Sequence, residues 1–189
     1  MVKNQISLIL LFILSLSCDS GHHTRTYHLP KKRVNTFPPS TVERVTEITR
    51  YTWEKPGSWI YAEGNSMRLA SFEIPFSTGS GDLSIMELGG NGGGLEANVN
   101  RWRGQIGLDP LTKLEIENEA GNGVSQLGNY QLFRLINIEK KESAFLAAVF
   151  PLESRTLFIK LTASADGILE IEKDFKDFCS SMRLENSKQ

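Results

Sequence analysis

The clearest pattern in the chain is an alternation of apolar and polar positions that begins near residue 70. Ala70, Phe72 and Ile74 alternate with Ser71 and Glu73, the two-residue period of a half-buried strand. Residues 75–81 read as a turn, and residues 82–88, with Leu83, Ile85, Met86 and Leu88, as the second arm of a hairpin. After a glycine-rich loop at 89–94, Leu95, Val99, Trp102 and Ile106 recur at the spacing of one helical stripe, which predicts a helix over 95–108 that Gly107 and Pro110 bring to an end. Leu114 and Ile116 alternate with Lys113, Glu115 and Glu117, which predicts another half-buried strand, and residues 120–128 read as a second glycine-rich turn. Residues 130–138, 144–150 and 156–163 predict three richly apolar strands in the middle of a sheet, the first two joined by the polar turn Glu139-Lys140-Lys141-Glu142. Asp166 and Gly167 open a last helix with Ile168, Ile171, Phe175, Phe178 and Met182 on its apolar stripe, ending near Leu184. Two strands, a helix, four strands and a helix, with hairpin-length links, imply an α+β fold: a mainly antiparallel sheet covered by two principal helices.

The N-terminal third has a different texture. Lys3 supplies a short positive region, and Ile6 to Leu16 is an apolar run broken only by Ser7 and Ser15, shorter than the roughly 20 residues a transmembrane helix needs. The run ends in Leu14-Ser15-Leu16-Ser17-Cys18, which resembles a bacterial lipobox; it departs from the strict pattern at Ser15, where leucine is commoner. The resemblance implies a signal peptide at 1–17, an N-terminus acylated at Cys18, and export to a bacterial membrane with the protein held in its lipid. Asp19 resembles an inner-membrane retention signal of one bacterial lineage. Residues 18–50 read as a flexible tether: Pro30, Pro38 and Pro39 punctuate it and its apolar residues are sparse and aperiodic. Lys31-Lys32-Arg33 in this stretch suits either contact with anionic headgroups or plain solvation, and His22-His23 either a stray metal ion or a polar linker. A single folded domain is expected over 51–185, with a polar tail at 186–189.

Composition narrows the chemistry. With 21 basic and 22 acidic residues the net charge is -1, which gives no global reason to bind nucleic acid. The histidines, His22, His23 and His28, all precede residue 51, so the domain itself holds no imidazole for a Ser-His-Asp or Cys-His mechanism or for a histidine zinc site. Lipidation of Cys18 leaves Cys179 without a disulfide partner in the chain, and its place beside the last helical stripe predicts a buried, inert thiol. Gly89-Gly90-Asn91-Gly92-Gly93-Gly94 lies between strand and helix, as a phosphate-binding loop would, but lacks the Gly-Lys-Ser/Thr ending and the dinucleotide spacing. No cofactor and no metal are expected.

The remaining signal is polar and sits on the first helix. Asn98, Arg101 and Gln105 share one face beside the apolar stripe, next to Gly92, Gly93 and Gly94. Amides and a guanidinium there suit recognition of carboxylates or phosphates; equally, they suit donation to loop carbonyls that hold the glycines in place. Residues 97–108, Ala-Asn-Val-Asn-Arg-Trp-Arg-Gly-Gln-Ile-Gly-Leu, resemble a segment of a group of small exported bacterial proteins, as do residues 67–72 and 158–162. That resemblance, spanning about residues 53–184, implies a PsbP-like α/β/α sandwich, a fold associated with binding and assembly; it implies no agreed activity. The expected role is a membrane-anchored lipoprotein that binds or supports assembly, with an envelope protein as partner. The alternatives are an enzyme acting on a polar or anionic substrate through carboxylates and Arg101 or Arg103, and a structural envelope component.

Overall fold

The computed structural model describes residues 51–185; the lipobox, the tether and the polar tail lie outside the described residues. The order of elements is β1 (Tyr51–Thr52), β2 (Ile60–Tyr61), β3 (Ala70–Phe76), β4 (Gly79–Gly89), α1 (Leu95–Gln105), α2 (Lys113–Glu119), β5 (Gly121–Ser125), β6 (Gly128–Ile136), β7 (Ala144–Pro151), β8 (Arg155–Ala163), α3 (Ala165–Ser180) and β9 (Arg183–Leu184). Seven strands form one antiparallel sheet in the order β2-β3-β4-β8-β7-β6-β5, and β1 pairs with β9 beside it. The α+β class with an antiparallel sheet is therefore as expected; β8 is the central strand with β7 beside it, while β6, expected in the middle with them, lies next to edge strand β5.

Each face of the sheet has its own core. On one face, Leu83, Ile85, Leu146, Phe150, Ile159 and Leu161 pack under α3, whose stripe of Ile168, Ile171, Phe175 and Phe178 is buried. On the other, Phe133, Phe145, Val149 and Phe158 pack under Val99, Trp102 and Ile106 of the α1 region and Ile116 of α2. Cys179 is fully buried in the first core, and burial pushes its thiol pKa up, so it stays protonated and inert.

Two elements differ from the sequence reading. Residues 113–117 form helix α2 and not a strand. Thr112 and Glu115 close a capping box, in which the Glu115 carboxylate accepts from the Thr112 N–H at 2.8 Å and the Thr112 hydroxyl accepts from the Glu115 N–H. In a helix, Leu114 and Ile116 point to nearly opposite sides; Ile116 is 1% exposed and Leu114 67%. Accordingly Ile116→Ala should cost about 2–5 kcal/mol and Leu114→Ala less than about 0.5 kcal/mol in a denaturant titration. Equal losses at the two positions would contradict the helix.

The stretch 120–128, expected as a turn, contains edge strand β5, which reverses into β6 through Gln126-Leu127. Its glycines are needed by the partner strand: a Cβ on Gly123 would sit 2.2 Å from the Tyr130 ring. The first hairpin is also tighter than expected. Its ladder runs on to Phe76 opposite Gly79, with Ser77-Thr78 at the tip. Pro75 is tolerated there because β2 pairs only with Phe72 and Glu73, leaving that end of β3 open. The tip is clamped to α3: Glu170 accepts from the Ser77 N–H at 2.9 Å and from its hydroxyl at 2.7 Å, and Phe76 occupies the space a Cβ on Gly167 would need.

Candidate functional site

The glycine loop crosses the end of β8 on its way to α1. Gly92 has a φ of 60°, and a Cβ there would meet the Phe158 ring at 2.5 Å, so this position tolerates only hydrogen for two separate reasons. Asn98 lies underneath, 3% exposed. Its amide donates to the carbonyls of Gly92 at 2.9 Å and Gly94 at 2.7 Å, and its oxygen accepts from Arg101 Nη2 at 2.6 Å. The loop N–H groups are also largely engaged: Gly90 donates to Ser154 O, Gly92 to Gly89 O, Gly93 to Asn91 Oδ1 and Gly94 to Asn91 O. Of the residues singled out on this face, Asn98 thus supports the loop from inside, Arg101 orients Asn98 from the exposed side, and Gln105 lies exposed one turn further on. The N–H groups of Gly93 and Gly94 are taken up by Asn91 within the loop, so the loop does not present the open row of donors a phosphate cradle requires.

This packing predicts a graded response. Gly92→Ala should lose about 2–5 kcal/mol, combining a left-handed backbone penalty with overpacking against Phe158. Gly94, with a φ of 90° and open space around a Cβ, should lose only the backbone part, about 1–2 kcal/mol. Thermal melts of both variants check the order; a neutral Gly92→Ala would contradict the packing.

The two arginines of α1 do different work. Arg103 Nε donates to Asp109 O at 2.7 Å and Nη1 reaches Glu119 at 3.4 Å, while Asn100 bonds both the N–H and the carbonyl of Leu111. These contacts fasten the α1–α2 connection.

A larger concavity lies on the opposite face. Seven strands spaced about 4.8 Å apart make a face roughly 29 Å wide, whereas one helix covers only about 10 Å. Helix α3 crosses diagonally, from Phe76 at its first turn to Tyr130, whose hydroxyl lies 2.9 Å from Ser180 Oγ. It leaves a cleft of about 580 Å³ over β5 and β6. Leu132, Leu146 and Phe175 supply apolar walls and floor; Glu119, Arg134, Glu172 and Lys176 supply a rim of both signs. Glu172 bonds both Arg134 (2.9 Å) and Lys176 (2.7 Å), and its pKa is lowered, first by the Lys176 hydrogen bond, with burial opposing next and Arg134 lowering it further. A second hollow of about 450 Å³ continues beyond Arg134, lined by Ile136, Ile138, Lys141, Asp166 and Leu169. Ile138 and Leu169 there are 79% and 57% exposed. No local pattern in the sequence marks this groove, because its residues come from α2, β5, β6, β7 and α3 and only the sheet order brings them together.

Elsewhere, Tyr51 donates to Glu87, which also holds Arg155 at 2.7 Å; burial first and Glu87 second push the Tyr51 pKa up, so it stays a phenol. Among the described residues no cluster of His, Cys, Asp and Glu is arranged to hold a metal, and no helix is long and apolar enough to cross a membrane.

No family model and no curated protein matches the chain. Among solved structures it is similar to the solution structure of cyanobacterial PsbP (CyanoP) from Synechocystis sp. PCC 6803, with 12% identity and a TM-score of 0.44, over 75% of this chain and 96% of that one. It is similar in the same degree, 12% identity and a TM-score of 0.44, to a crystal structure from Bacteroides thetaiotaomicron VPI-5482, over 74% of this chain; it spans 46% of that chain's length.

Proposed function

We propose that the chain is an exported lipoprotein, acylated at Cys18, whose domain binds a partner protein of the cell envelope and performs no chemistry on it. The observation that carries the binding reading is the groove along α3. It is long, floored by apolar side chains and rimmed by charges, and beside it runs β5, whose outer edge has no neighbour in the sheet among the described residues. An apolar floor with a polar rim is the usual anatomy of a protein-binding surface, and an open edge offers main-chain partners to an extended segment. Ile138 and Leu169 add exposed apolar area at the far end. The lipobox supports the location, since an acylated N-terminus holds a tethered domain close to membrane partners.

Affinity capture from cross-linked, detergent-solubilised membranes tests the reading. A specific protein should co-purify with the wild-type chain and be depleted at least about tenfold by the double substitution Ile138→Lys and Leu169→Lys, since each buried aliphatic side chain contributes about 1.5–3 kcal/mol. Both positions are exposed, so the melting temperature should hardly change. Capture that is indifferent to the double substitution would contradict the groove as the binding surface.

A further inference from the structure

A polar row lies on the face of the sheet that α1 and α2 share, with Ser71 and Ser84 buried in it. Those helices pack on the apolar side chains of β6, β7 and β8, and beyond them the row turns polar, with Arg68 lying over Ser71. Ser71, Ser84 and Lys160 stand directly opposite one another across β3, β4 and β8, and Asp82 lies opposite Thr162 in the next row. Lys160 belongs to the central strand of the sheet and is half-buried. Its ammonium rests 4.3 Å from the centroid of the Phe145 ring. Among the described residues no carboxylate closes an ion pair with it. The acid nearest in the register, Asp82, is held bidentately by Arg68 at 2.9 and 3.0 Å. Arg101 stands on α1 next to Trp102, whose ring packs on Phe158, two residues before Lys160 on β8; among the described residues its single hydrogen bond is the one to Asn98. Burial first, and the Arg101 charge second, hold the Lys160 pKa below its ordinary value, with Arg68 acting in the same direction and Asp82 against it.

A half-buried ammonium beside a second cation, with its neighbouring acid already engaged, is an uncompensated arrangement. An anion between the two cations would relieve both the desolvation and the mutual repulsion, and would do so with charge-assisted hydrogen bonds. The geometry points to an oxyanion site between β8 and α1, where Lys160 and Arg101 clasp a phosphate or a phosphate-like headgroup against the Phe145 ring. It lies on the opposite face of the sheet from the groove along α3 and does not depend on that groove being a docking surface.

Titration of inorganic phosphate into the full chain in detergent micelles, with the Lys160 Nζ followed by NMR, tests the site. Saturable binding is expected, weakened at least about tenfold by Lys160→Met and likewise by Arg101→Gln, the second being an exposed position whose change leaves the fold in place. Bound phosphate should raise the Lys160 titration midpoint, because an anion favours the charged form, and Arg101→Gln should raise it without phosphate. The same titration with a short-chain phosphatidic acid separates the sources: markedly tighter binding than phosphate assigns a lipid headgroup, equal binding a free oxyanion. No saturation by either probe, or binding unaltered by both substitutions, overturns the site.

Discussion

Trp102→Ala is expected to cost about 3–5 kcal/mol of folding stability, the range for deleting a buried aromatic ring. Trp102 is 4% exposed and its ring meets Phe158 edge-on, with centroids 6.2 Å apart. It joins α1 to the sheet through the same cluster that holds Val99, Ile106, Ile116 and Phe133. A domain of ordinary stability, about 5–15 kcal/mol, would lose at least about a fifth of it. The neighbouring Arg101→Ala removes one hydrogen bond, to Asn98, and should cost only about 1 kcal/mol. A chemical-denaturation series on both variants reads the difference. Equal losses would make Arg101 a clamp on the glycine loop as important as the core itself, and would remove it from consideration as a ligand-facing group.

The core was legible because its signals are local and redundant. Phe72 and Ile74 keep the strand period and the Ile168, Ile171, Phe175, Phe178 stripe the helical one, while the run through 144–150 is apolar throughout and is marked as a buried strand by its short length. The five residues from Lys113 to Glu117 do not: a single alternation fits a strand, and the deciding feature was the Thr112–Glu115 capping box just before it. Strand β5 was hidden for another reason. An edge strand needs no apolar pattern, and Gly121 and Gly123 resemble turn residues until Tyr130 is known to lie across Gly123.

The candidate site was legible in part. The stripe on α1 placed Asn98 and Arg101 next to the glycine loop, but only coordinates show that the Asn98 amide points inward to two loop carbonyls. Lys160 looked like any polar position in an alternating strand. Its meaning depends on which part of the sheet the helices leave uncovered, a property of the strand order that no local pattern contains. The groove along α3 was illegible for the same reason.

In the proposed function the location and the attachment of the domain rest on Cys18, and replacing it then has the largest expected effect of any substitution in the chain. Several acyl chains on one residue give durable anchoring, because each buried methylene contributes about 0.8 kcal/mol, whereas the unacylated tether has no comparable apolar surface. Cys18 precedes the folded region by the whole of the tether, so its replacement should leave the cores around Phe175 and Trp102 as they are. The decisive measurement is the distribution of wild-type and Cys18→Ser protein between soluble and carbonate-washed membrane fractions. The account predicts wild type in the membrane and the variant released almost completely, with an unchanged melting temperature. A variant that stays in the washed membrane would contradict it and make the apolar run at 6–16 an uncleaved anchor.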